Sequence, residues 1–185
     1  MDFAVALTDA AVLRPLEPWR SGEFFAHVEK AREALAPWAP WVEIVTDEER
    51  ARNYLARYAR RQAADEGRMY GIWLDDVLVG GMQFRGFDID SGITELGAWL
   101  APEAQGRGLA TLATQHLIDW AIGVRGLNRV EWRCTANNTR SAATAERLGM
   151  VHEGTLRQAF VHAGTVHDVL VWAMTRSDWQ QRSWR

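Results

Sequence analysis

The chain has 185 residues, of which 48% are apolar and 24% charged, and a formal net charge of −3. That length suits one domain over residues 1–185, burying about two-thirds of its unfolded surface. The slight acidity argues against a general binder of nucleic acid or anionic membrane. One cysteine excludes an internal disulfide and fits a reducing compartment. The N-terminus lacks a basic leader, and no uncharged apolar run approaches the roughly 18–20 residues of a membrane span. A cytoplasmic protein is expected.

In chain order, residues 4–7 and 11–15 read as one strand or two short ones, and Pro15 and Pro18 force an extended exit. Ser21 predicts an N-cap for a helix over about 23–35, with Phe24, Phe25, Val28, Ala31 and Leu35 on one face. Pro37 and Pro40 bar residues 36–42 from a helix interior. Thr46-Asp47-Glu48-Glu49 reads as a capping box opening a helix that reaches 64. Its Arg50, Arg52, Arg57, Arg60 and Arg61 form a solvated face, and Gly67 is a fitting stop.

From residue 69 the period shortens to two. Residues 69–74 and 77–84 predict a hairpin about Asp75-Asp76, and 94–100 a further strand. Residues 108–121 carry Leu109, Leu112, Ala113, Leu117 and Trp120 on one helical stripe. Residues 129–135 alternate Val130, Trp132 and Cys134 against Glu131, Arg133 and Thr135, the period of a strand. Asn138 or Thr139 caps a short helix ending at Leu148-Gly149, and 150–157 and 165–175 are the last strands. The order is strand, two helices, three strands, helix, strand, helix, two strands: a mixed α/β pattern.

Between the strand at 94–100 and its following helix stands Gln105-Gly106-Arg107-Gly108-Leu109-Ala110. The two glycines permit a tight turn, and the free N–H groups and dipole at the helix start suit a phosphate or pyrophosphate. The loop matches neither the dinucleotide fingerprint nor the P-loop. Its neighbours are more specific. Glu95 to Leu100 with that loop, Asn138-Thr139-Arg140-Ser141 through Glu146-Arg147-Leu148-Gly149-Met150, and Glu153 to Arg157 with His167-Asp168 resemble three blocks of the GNAT acetyltransferases. Within that superfamily the chain is similar to the RimJ/RimL-type branch.

The resemblance implies an α/β GNAT fold, a mixed, mostly antiparallel sheet flanked by helices. Its two neighbouring parallel central strands, here 94–100 and 129–135, are expected to splay apart and admit pantetheine. It implies acetyl-CoA as cosubstrate, a homodimer, and direct transfer to a primary amine, above all the N-terminal α-amine of a ribosomal protein. A small amine (aminonucleoside, amino sugar or aminoacyl toxin) is the second reading, and a non-catalytic acetyl-CoA-binding module the third.

Transfer to an amine requires the amine to lose a proton, the carbonyl to be polarised and the thiolate to leave. The resemblance makes Glu95 the candidate base, directly or through water, and places it toward the acceptor; the alternative is a solvated or ion-paired carboxylate. A backbone N–H among Ala98, Trp99 and Leu100 is the candidate polariser. Where many relatives place a tyrosine this chain has none, so Ser141 is the hydroxyl for the leaving thiolate, or else a first-turn helix residue. Asn138, or Asn137, holds pantetheine or orders the strand–helix junction. Leu100, Gln105, Gly106, Arg107, Gly108, Leu109 and Ala110 are assigned to coenzyme A. Trp38, Trp41 and His167 are assigned to the acceptor side, with packing the alternative for both tryptophans. The five histidines show no metal-ligand spacing, so no metal is expected. Deprotonating an α-amine at pH 7 costs roughly 1.4 kcal/mol and a lysine roughly 4.6, so a single modest base suits the former.

Overall fold

In the computed structural model, which describes residues 4–184, eight strands form one sheet. They are β1 (Val5–Ala6), β2 (Ala11–Pro15), β3 (Arg68–Leu74), β4 (Val77–Asp88), β5 (Ile93–Leu100), β6 (Arg129–Thr135), β7 (Val151–His162) and β8 (Thr165–Thr175). The sheet order is β1-β2-β3-β4-β5-β6-β8-β7, and β5–β6 is its parallel pair. Helices α1 (Ser21–Leu35) and α2 (Glu48–Ala63) cover one face, burying Phe24, Val28 and Leu55 against Trp73 and Trp99. On the other face, α3 (Leu109–Ile118) and α4 (Thr139–Arg147) close over Phe84, Leu96, Val130 and Trp132. This is the mixed α/β architecture the motifs implied. Among the described residues no helix is long and apolar enough to cross a membrane.

Several local expectations change. Ser21 is the first helical residue rather than a cap, and its hydroxyl donates to Glu48 Oε1 at 3.2 Å, tying α1 to α2. Asp47, not Thr46, caps α2, accepting Arg50 N–H at 2.7 Å. Pro40 starts a single 3₁₀ turn over Pro40–Glu43, compatible with proline because a first-turn N–H has no helical partner anyway. Leu112, placed on the buried stripe, is 37% exposed. Beyond α3 the chain widens into π geometry over Asp119–Val124, and a short α5 (Arg176–Gln180) follows β8 behind a Thr175 capping box.

Two strands run longer than their period suggested. A bulge lets β4 continue past Phe84 to Asp88; Arg61 donates to the Arg85 and Glu66 carbonyls beside it. A second bulge carries β7 from Leu156 to His162, with Gln158 at φ 53° and its N–H given to Asp168 Oδ1 at 2.7 Å. The hairpin end is held to the other side of the molecule, where His162 Nε2 lies 2.6 Å from the Ala36 carbonyl oxygen.

Candidate active site

The parallel pairing of β5 with β6 runs from Ile93↔Arg129 to Leu96↔Trp132 and stops there. Gly97 to Leu100 therefore carry a free edge facing Arg133 to Thr135, the splay expected from the motifs. Which groups line the gap follows from the other neighbour. Ala101 N–H donates to the Val79 carbonyl, and the Gly80↔Leu100 to Gln83↔Gly97 register is regular. Alternation along an antiparallel ladder then turns the N–H groups of Ala98 and Leu100 away from β4 and into the gap. The Leu100 carbonyl is met there by Gln105 Nε2 at 3.3 Å.

At the end of the gap the chain turns into α3 through Gly106 and Gly108, at φ 76° and 74°. An added Cβ at either glycine would meet nothing within 4 Å, so the requirement is the left-handed backbone, and the space beside it is open. Arg107 is exposed on this loop. Arg140, at the start of α4, donates to Gln105 Oε1 and closes the loop from the other side. No sequence signal singled out Arg140.

The acceptor-side and thiol-side candidates do not meet; they stand on opposite faces of the sheet. Ser141, in the first turn of α4, accepts a hydrogen bond from Trp132 Nε1 at 2.9 Å, while its backbone N–H goes to the capping Asn138 Oδ1 at 3.2 Å. Asn138 thus orders the strand–helix junction, and Asn137 beside it is exposed. With its oxygen accepting from the indole, Ser141 retains its own proton to donate. Buried Cys134 is the neighbouring thiol, and burial pushes its pKa up despite a hydrogen bond with Ser141. It stays protonated near neutrality and is a poor nucleophile.

Across the sheet, Glu95 lies on the α1/α2 face. Burial raises its carboxyl above the usual range, more than the charges of Arg85 and Arg133 lower it. Arg85 Nη1 stands 3.1 Å from Glu95 Oε1 and Arg133 Nε 3.9 Å from Oε2. The Arg85 contact is not aligned as a hydrogen bond: Oε1 is closed to solvent and accepts none. Glu131, the cross-strand neighbour, is held differently. Burial opposes its ionisation, but bonds from Arg129 and Arg133 keep its carboxyl below the ordinary range. Two carboxylates side by side are thereby separated into one hydrogen-bonded by arginines and a more weakly acidic one.

A cleft of about 350 Å³ opens over Glu95, lined also by Arg85, Gly86, Phe87, Asp88, Ile93, Thr94 and Glu131. Gly97 continues it toward the gap; a Cβ there would come within 3.0 Å of Gln83 Nε2 and 3.2 Å of Arg85 Nε. Behind it Tyr58 donates to Gln83 Oε1 at 2.7 Å. His167 pairs with Phe160, and by the β6–β8 register it shares the face of Glu131 and Arg133, farther along β8. Trp41 packs with Phe24, Tyr54 and Trp99 at centroid distances of 5.7, 5.7 and 5.3 Å, whereas Trp38 is 42% exposed. Packing accounts for Trp41.

Trp99 is anchored from α1. Its Nε1–H donates to His27 Nε2 at 3.2 Å, and the other imidazole nitrogen bonds the Leu78 backbone. Burial pushes the His27 pKa down to about 4 from an ordinary 6.5. The unfolded chain therefore binds a proton that the folded one refuses, and stability from this site, whole above pH 6.5, is lost as pH falls toward 4. Denaturant unfolding at pH 7 and 4.5 should show a loss of about 2 kcal/mol, much of it absent in His27→Leu. An equal loss in the variant would remove His27 as its source.

Residues 11–151 match the family model for the acetyltransferase (GNAT) domain. The chain is 27% identical over 179 residues to YdaF of Bacillus subtilis (strain 168), covering 96% of this chain and 98% of that protein. It is 29% identical over 133 residues to the ribosomal-protein-serine acetyltransferase of Escherichia coli (strain K12), covering 72% and 74%. In solved structures its fold is similar to RimL, a ribosomal L7/L12 α-N-protein acetyltransferase in complex with coenzyme A (TM-score 0.89, 23% identity, 95% and 99% covered). It is also similar to the microcin C7 self-immunity acetyltransferase MccE in complex with acetyl-CoA and AMP (TM-score 0.88, 20% identity, 95% and 97% covered). With three-quarters of its length matched by that model and its sheet opened between β5 and β6, the chain belongs to the GNAT acetyltransferase family.

Proposed function

We propose that the protein transfers acetyl from acetyl-CoA directly to the N-terminal α-amine of a protein, a ribosomal protein by analogy with its relatives, and acts in the cytoplasm. One observation carries the reading: a buried carboxylate oxygen of Glu95 without a hydrogen-bond partner, in an open cleft beside the free edge of β5. The residues present suit the cosubstrate, with gap-facing N–H groups on Ala98 and Leu100 and open space beside Gly106 and Gly108. When bound, acetyl-CoA supplies the acetyl group as a thioester.

Glu95 accepts a hydrogen bond from the amine and takes its proton as the carbon–nitrogen bond forms. Ala98 or Leu100 N–H donates to the carbonyl oxygen as it gains negative charge. Ser141 donates a hydrogen bond that stabilises the departing thiolate, its own oxygen held by Trp132. Gln105 through Ala110, with Arg107 and Arg140, hold the phosphates.

The test is thiol release from acetyl-CoA over peptides beginning with Ala, Ser or Met beside aminonucleosides and amino sugars. Turnover on free α-amines, abolished when the amine is blocked, is expected. Turnover on small amines alone would replace the reading with detoxification of a small amine.

A further inference from the structure

The charges around the cleft say something about the acceptor beyond its amine. On the α1/α2 face the acids are Glu95, Glu131 and Asp88. Glu131 is tied to Arg129 at 2.8 Å and Arg133 at 2.7 Å; Asp88 Oδ1 accepts the Ser91 N–H at 3.0 Å at the outer end of β4. Arg129 is in turn bound to Glu153. Nearer the gap, the basic groups are less committed. Arg85 is 52% exposed along its side chain and, among the described residues, has Glu95 alone as a carboxylate neighbour. Arg57 projects from an exposed position on α2 over the rings of Tyr54 and Tyr58, 4.8 and 5.9 Å from their centroids. Among the described residues no carboxylate stands within ion-pair distance of it.

The same pair of tyrosines joins the two arginines. Tyr58 holds Gln83, which packs with Arg85 over Gly97, and the Tyr54 hydroxyl lies in the fields of both Arg57 and Arg85. Arg57 thus lies over the tyrosine rings, and Arg85 is linked to the same tyrosines through Gln83 beside Gly97 of β5. The unused N–H donors of the two arginines suit a carboxylate or phosphate. A cationic acceptor tail would meet the guanidinium of Arg57, and that of Arg61 beside it over Tyr58, with the wrong sign. A nearby cation also disfavours the ammonium form of the acceptor, easing the proton loss that Glu95 must complete.

We propose that Arg57 and Arg85 form an anion-recognition pair at the mouth of the acceptor cleft, and that the natural acceptor carries a carboxylate or phosphate close to its amine. The proposal rests on the reading of the Glu95 face as the acceptor side. The anion has two sources, acidic residues just after a protein N-terminus or the phosphate of a small amine, and both are tested. Acetyl transfer is measured to Ser-Glu-Glu, Ser-Ala-Ala and Ser-Lys-Lys peptides of otherwise equal sequence, and to O-phosphoserine amide beside serine amide.

The acidic peptide should exceed the neutral one at least tenfold in kcat/KM, and the basic one should fall below both. Arg57→Glu, at an exposed helical position, should bring the acidic-to-basic ratio near or below one with the thermal midpoint preserved. A preference shown by O-phosphoserine amide but not by the acidic peptide would assign the anion to a small phosphorylated amine. Equal rates across the peptides and both amides would overturn the proposal while leaving the α-amine reading intact. Turnover confined to uncharged amino sugars would remove both.

Discussion

Glu95→Gln is expected to lower kcat by about two orders of magnitude, the usual worth of a positioned general base, while acetyl-CoA affinity changes by less than about twofold. Glutamine keeps the shape and loses the ability to take a proton. Its neighbours tolerate the change: Arg85 is half-exposed and Arg133 keeps Glu131. The pH profile gives the sharper reading. Since burial raises the Glu95 carboxyl above its ordinary 4.5, the wild-type rate should fall on acidification through a limb placed above that value, because the protonated acid is no base. That limb should vanish in Glu95→Gln. Unchanged turnover, or a limb surviving the substitution, would take Glu95 out of the chemistry.

The second large effect lies in the sheet. Gly81→Ala should cost roughly 3 kcal/mol or more, the upper range for a forced clash in a close-packed core, and lower the thermal midpoint by about 10 °C. Gly81 pairs with Trp99, and its missing side chain is the space in which the indole lies. A Cβ there would collide with the Trp99 ring and with the Tyr70 carbonyl oxygen, and neither can yield: one is a buried ring held by His27, the other backbone. Gly80, beside it, would collide with the Trp99 carbonyl. Gly154→Ala, where an added Cβ meets nothing within 4 Å, is the control and should change stability little. A wild-type-like midpoint for Gly81→Ala would show that Trp99 is free to move.

These two residues also mark what a sequence reader sees and misses. The Gln105 to Ala110 loop and the cap at Asn138 are legible from local backbone chemistry, a glycine turn and a helix start, whereas Glu95 and Ser141 stand out as candidates through the resemblance of their runs to the GNAT blocks. The place of Trp99 was not legible. It depends on Gly81, on His27 at a separation of 72 residues, and on Trp41 in the turn between α1 and α2. Arg85, Tyr58 and Gln83 were unread for the same reason, since a hydrogen bond across 25 residues leaves no periodic trace. Trp132 was read as one apolar position in an alternating strand, which it is; that its indole N–H finds Ser141 depends on how α4 docks. The bulges in β4 and β7 escaped because an extra residue breaks the alternation by which strands are recognised.

The separation of Glu95 and Ser141 onto opposite faces of the sheet has a kinetic consequence. On the roles proposed for these two residues, donor and acceptor reach the reacting carbon through different doors, the one from the α3/α4 side and the other from the α1/α2 side. Neither then has to leave for the other to enter, so both can be present together at the moment of transfer, and the proposed direct transfer needs no acetylated form of the enzyme to carry the group between half-reactions. Product can depart by the door its substrate used, and a molecule lodged in one entrance lowers turnover without competing for the other.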